Sequence, residues 1–135
     1  MDIKMVDTDT GGFDLIPNEW YEVEVVSVRD KISKAGNEMV EVEFAITSGE
    51  FDRRKLWTNL VPFGKGLYNC RRFVEACGTE WVKNQNLKID DSYVGRALKV
   101  EVTTDNYQGE DKNKIKFGGF EKTEATAIMA GGAPF

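Results

Sequence analysis

From Trp20 to Arg29 the chain alternates, with Tyr21, Val23 and Val25 on one side and Glu22 and Glu24 on the other. That period of two predicts a half-buried strand. Lys31–Asn37 supplies turn chemistry, Gly36 and Asn37 being suited to the positive φ of a hairpin tip. Glu38–Ile46 alternates again: Val40, Val42, Phe44 and Ile46 point inward, Glu41 and Glu43 outward, and Ser48-Gly49 ends the run. A third strand is predicted over Arg53–Val61. The period then changes, because Leu67, Cys70, Phe73, Val74 and Cys77 recur at the spacing of one helix face and Gly78 is placed to end it. Tyr93–Thr103 reads as a fourth strand, Asp105–Asp111 as a loop, and Lys112–Phe120 as a fifth strand. In that last strand Lys112, Lys114 and Lys116 share one face, and Ile115 and Phe117 the other.

Three strands, a helix and two strands is the element order of an OB-fold, a five-stranded Greek-key barrel with its helix between strands three and four. The expected fold class is therefore all-β. Residues 1–12 read as a flexible acidic lead-in, 13–122 as the domain, and 123–135 as a flexible tail without periodicity.

The chain has 135 residues, which suits one domain. The sequence contains no histidine, which removes every mechanism that needs an imidazole as base or metal ligand. Cys70 and Cys77 fall on the apolar helix face, where a thiol serves as a small hydrophobe, and their spacing fits neither a disulfide framework nor a chelate. Phe63-Gly64-Lys65-Gly66 lacks the spacing and hydroxyl of a phosphate-binding loop, and Asp90-Asp91 and Glu110-Asp111 read as solvated loop charge. No catalytic residue, metal site or cofactor is assigned. With no long apolar run and no signal-like start, a cytoplasmic protein without membrane contact is expected.

Net charge is −5, which by itself disfavours nucleic acid. The distribution changes that picture: residues 1–50 hold 4 basic and 12 acidic side chains, residues 51–122 hold 14 and 10. A local positive surface is compatible with an acidic chain. Its candidate centre is Arg53-Arg54-Lys55-Leu56-Trp57-Thr58-Asn59-Leu60, where Leu56 and Leu60 facing the core would put Lys55, Trp57 and Asn59 outside. Cations neutralise phosphates while a flat ring stacks a base of any identity, the combination single-stranded nucleic acid requires. The alternative is a core Trp57 beside an ordinary solvated turn. Lys112, Lys114 and Lys116, with Tyr107 before them, form a second basic strip, and Lys31 and Lys34 extend the first hairpin.

The run Tyr21–Val26, the hairpin through Lys34-Ala-Gly36-Asn37 to Phe44, Gly49–Leu60, Ala76-Cys77-Gly78 and Val94-Gly95-Arg96 resembles a family of small bacteriophage proteins long catalogued as of unknown function and similar to OB-fold single-stranded DNA-binding proteins. The resemblance covers about residues 13–121. It implies a non-enzymatic protein that coats single-stranded DNA in phage replication or recombination, through a groove over strands two, three and five, with oligomers conceivable. Pro134-Phe135 resembles the tip of bacterial single-stranded DNA-binding protein tails, which docks replication and repair proteins, although only Glu124 supplies acid in this tail. The rival expectation is a protein-interaction module on the same barrel, without nucleic acid.

Overall fold

The computed structural model describes residues 15–83 and 85–123. Among these residues lie five strands, β1 (Trp20–Ile32), β2 (Glu38–Ile46), β3 (Lys55–Leu60), β4 (Ala97–Tyr107) and β5 (Glu110–Glu121), and one α-helix, α1 (Gly66–Ala76), between β3 and β4. All pairings are antiparallel, in the order β3-β2-β1-β4-β5.

Alternation fixes which face each strand buries. Val23 and Val25 of β1, Val42, Phe44 and Ile46 of β2, Leu56 and Leu60 of β3, and Leu98, Val100 and Val102 of β4 are all buried. α1 covers this face with Cys70, Phe73 and Val74. Phe73 meets Phe44 and Phe120 with ring centroids 6.0 and 5.6 Å apart, so helix and sheet share one aromatic centre. Gly78 and Thr79 close the helix by donating their N–H groups to the Glu75 and Val74 carbonyls, 3.0 and 2.9 Å. Leu67, expected on the buried stripe, is exposed; Asn69 is buried in its neighbourhood on the chain instead.

The expected closed barrel is not what forms. β3 and β5 are the edges of one curled sheet; they come near each other without pairing. The reason lies in β5. Val100 pairs with Phe120 and Val102 with Ile115, so residues 116–119 stand opposite Glu101 alone, a large bulge. Within it the Gly118 N–H donates to Asn69 Oδ1 (2.6 Å) and the Gly118 carbonyl accepts from Arg72 Nε (3.1 Å). Backbone groups that a closing strand would need are bound to the helix.

Two boundaries also move. β4 begins at Ala97, because Asp91–Tyr93 forms a short 3₁₀ turn capped by Asp90, whose carboxylate accepts from the Ser92 N–H and hydroxyl. The expected 105–111 loop is instead a tight hairpin. Gln108 and Gly109, both at positive φ (53° and 83°), are its only unpaired residues, as in a type I′ turn. Ile16 is buried and exchanges two hydrogen bonds with Asn113, pinning residues 15–19 to the second hairpin. The lead-in assigned to 1–12 lies outside the described residues, as does the tail beyond Thr123, which is itself buried.

Candidate nucleic-acid interface

On the outer face of β1, β2 and β3, register sets side chains in rows. Trp57 stands opposite Glu43, which stands opposite Ser27; Asn59 stands opposite Glu41, which stands opposite Arg29. Trp57 is 48% exposed, with Leu56 and Leu60 buried on the other side of β3, so the ring is not core. Lys55 and Asn59 flank it along the same face.

The cations here do not stand alone. Lys55 donates to Glu43 (2.8 Å), Arg29 to one oxygen of Glu41 (2.6 Å) and Lys31 to the other (3.1 Å). The Lys31 hydrogen bond, then that from Arg29, hold the Glu41 carboxyl below the usual glutamate range. Lys55, helped by the Ser27 hydroxyl (3.1 Å), does the same for Glu43. Three cations share two carboxylates, and Glu24, exposed on the same face opposite Ala45 in the row of Lys55, balances the remaining positive charge. Lys34 is exposed at the tip of the β1–β2 hairpin. Arg53 and Arg54 sit in the connection leading into β3; the Arg53 backbone holds φ at 76° while its N–H donates to the Ile46 carbonyl (2.6 Å).

The second basic strip lies on the other edge of the sheet. Tyr107 closes β4 beside the hairpin turn, and Lys112, Lys114 and Lys116 lie along β5, exposed, each near an acid: Glu110 at 3.7 Å, Asp105 at 3.2 Å and Glu101 at 3.9 Å. Sequence reasoning therefore located the cations and missed their partners, which only register brings together. It also missed Arg29, on the Trp57 face, and the ring pair Tyr68 and Phe117. Phe117, expected inward beside Ile115, is exposed because the bulge breaks the alternation. For Tyr68 the available signal was an aromatic residue on the helix outside the apolar stripe.

Elsewhere the chemistry is quiet. Burial pushes the Cys77 thiol up to about 12, against the pull of Arg96, and raises Cys70, whose Sγ donates to the Val61 carbonyl at 3.5 Å. Among the described residues no cluster of three or more His, Cys, Asp or Glu side chains could hold a metal ion, and no helix is long and apolar enough to cross a membrane.

Residues 3–127 match the model of a protein family described as "Protein of unknown function (DUF669)". The chain belongs to that family. A search of curated proteins finds no match. The family match covers the whole described sheet and helix, so the Trp57 face lies within the shared domain.

Proposed function

We propose that this protein binds single-stranded DNA without base preference, as a module with no chemical step, on the outer face of β1, β2 and β3. The observation that carries the reading is Trp57: a half-exposed ring on an edge strand, between Lys55 and Asn59, in a face with Arg29 and Lys31. A base stacks on such a ring whatever its identity, and the cations take the phosphates. The ion pairs do not prevent this. Exposed pairs are worth at most about 1 kcal/mol, so Arg29, Lys31 and Lys55 exchange carboxylate for phosphate at small cost. The strand order, with the helix between β3 and β4 and the two edges drawn near, supports an OB-type module whose last seam is left open. A place in phage replication or recombination accords with a sequence-tolerant coat. The tip Pro134-Phe135, read as a docking peptide for replication or recombination proteins, lies outside the described residues.

One observation favours the rival reading, a protein-interaction module. Glu41 and Glu43 lie in the middle of the same face, with Glu24 beside them, and offset its cations. Fluorescence titration with oligo-dT at several salt concentrations separates the two. The DNA reading expects quenching of Trp57 and a log K against log salt slope of about −0.7 per phosphate neutralised. Absence of binding to every homopolymer at micromolar protein would overturn it.

A further inference from the structure

Tyr68 of α1 and Phe117 of the β5 bulge form a stacked pair outside the Trp57 face, with ring centroids 5.8 Å apart and planes at 27°. Each residue is 56% exposed. Rings left so open gain little from burial, so core packing does not account for them. Their placement is nonetheless built. Asn69, adjacent to Tyr68 and buried, accepts the Gly118 N–H at 2.6 Å, and Arg72 clamps the Gly118 carbonyl at 3.1 Å. Gly118 holds φ at 75°, and a Cβ there would stand 2.7 Å from Tyr68 Cε2, so the tyrosine lies against the strand where only glycine leaves room. Cations border the pair in sequence: Lys116 directly precedes Phe117, and Lys65 lies one helical turn before Tyr68, both exposed. The carboxylate near Lys116, Glu101, is 3.9 Å away, a loose contact that a phosphate can replace.

A stacked aromatic surface with an exposed lysine near each ring in sequence, Lys65 before Tyr68 and Lys116 before Phe117, suits a nucleobase flanked by phosphates. We propose that the Tyr68–Phe117 pair is a second base-stacking station for single-stranded DNA, taking one base on its open ring face with Lys65 and Lys116 at the phosphates on either side. This rests on the single-strand reading of the Trp57 face. α1 and β5 come near β3 across the open seam, and the proposal has the bound strand cross this seam from β3 to the pair.

The test measures the affinity of the full chain for oligo-dT of increasing length, with Tyr68→Leu and Phe117→Leu, which keep apolar volume and remove the ring. Affinity for long strands should fall about 5- to 50-fold. Strands too short to reach both stations should bind with unchanged affinity, and the melting temperature should not move. In wild-type protein, photo-crosslinking of an oligonucleotide carrying 5-iododeoxyuridine should modify Tyr68 or Phe117, a readout that requires no variant. If wild type binds and Trp57→Ala weakens binding while the leucine variants and the crosslink show nothing, the second station is overturned and the Trp57 reading stands. Failure of wild type to bind any strand overturns both. Unchanged strand affinity with altered sedimentation would mean that the pair joins copies of the chain, which also overturns the proposal.

Discussion

β3 presents Trp57 through uninterrupted alternation, with Leu56 and Leu60 buried behind it, whereas β5 presents Phe117 only because its alternation is broken opposite Glu101. Both strands are edges of the same sheet. On β3 the backbone is regular and the ring's environment is made by cross-strand neighbours, Glu43 above all. On β5 the backbone is irregular, and the helix holds it there through Asn69 and Arg72. An exposed ring on a regular strand can be exchanged without disturbing the fold; one on a bulge depends on a scaffold that can be damaged separately.

The largest effect tests the two sides of β3. Leu60→Ala should lower unfolding free energy by about 2–5 kcal/mol in denaturant titration. Trp57→Ala, three residues away on the opposite face, should cost less than about 1 kcal/mol of stability yet about 1–3 kcal/mol of single-strand affinity. A core-sized stability loss at Trp57 would erase the distinction between the faces. On β5 the scaffold is the sensitive part: Asn69→Ala leaves the Gly118 N–H without its acceptor and should cost about 1–3 kcal/mol. Gly118→Ala should cost about 1–2 kcal/mol through its positive φ, with Tyr68 displaced in the near-ultraviolet circular dichroism. Neutral behaviour in both variants would mean that the bulge is not held by the helix.

The smallest effect concerns the carboxylates of the Trp57 face. Glu41→Gln and Glu43→Gln should raise single-strand affinity a few-fold at neutral pH, since Arg29, Lys31 and Lys55 are then released. The same pairs set a pH dependence. Their folded-state values lie below the ordinary glutamate value, so the stability they contribute is fully present above that ordinary value. That contribution is lost as pH falls through the depressed values. Wild type should therefore lose stability in strongly acidic solution by more than the double glutamine variant does, measured by thermal unfolding across pH.

The contrast between the edges also explains what was legible beforehand. Alternation is a local property, so β1, β2, the interior of β3 and the exposure of Trp57 follow from residue order. The bulge is not local: Lys116-Phe117-Gly118-Gly119 leaves the ladder because Asn69 and Arg72, distant in sequence, bind Gly118. Without that bulge Phe117 faces inward and the sheet can close, which is why both expectations failed together. The ion pairs were hidden for a related reason, since Lys55 meets Glu43 and Lys114 meets Asp105 only once cross-strand register is set. Asp105–Asp111 reads as loop by composition, and the same register makes it two strand ends around Gln108-Gly109.

The β1–β4 ladder has a kinetic consequence. β1 with β2 and β4 with β5 are hairpins of neighbouring residues, whereas β1–β4 pairs Trp20 with Glu101 and Glu24 with Ala97, joining opposite ends of the described chain. Closing so long a loop costs entropy before any contact repays it. Each hairpin can form within microseconds, and the molecule must then wait for its central ladder. In stopped-flow refolding, a substitution that weakens β1–β4, such as Leu98→Ala, should slow folding, and one at the Gln108-Gly109 turn, in a hairpin already formed at the barrier, should also slow folding and leave unfolding little changed.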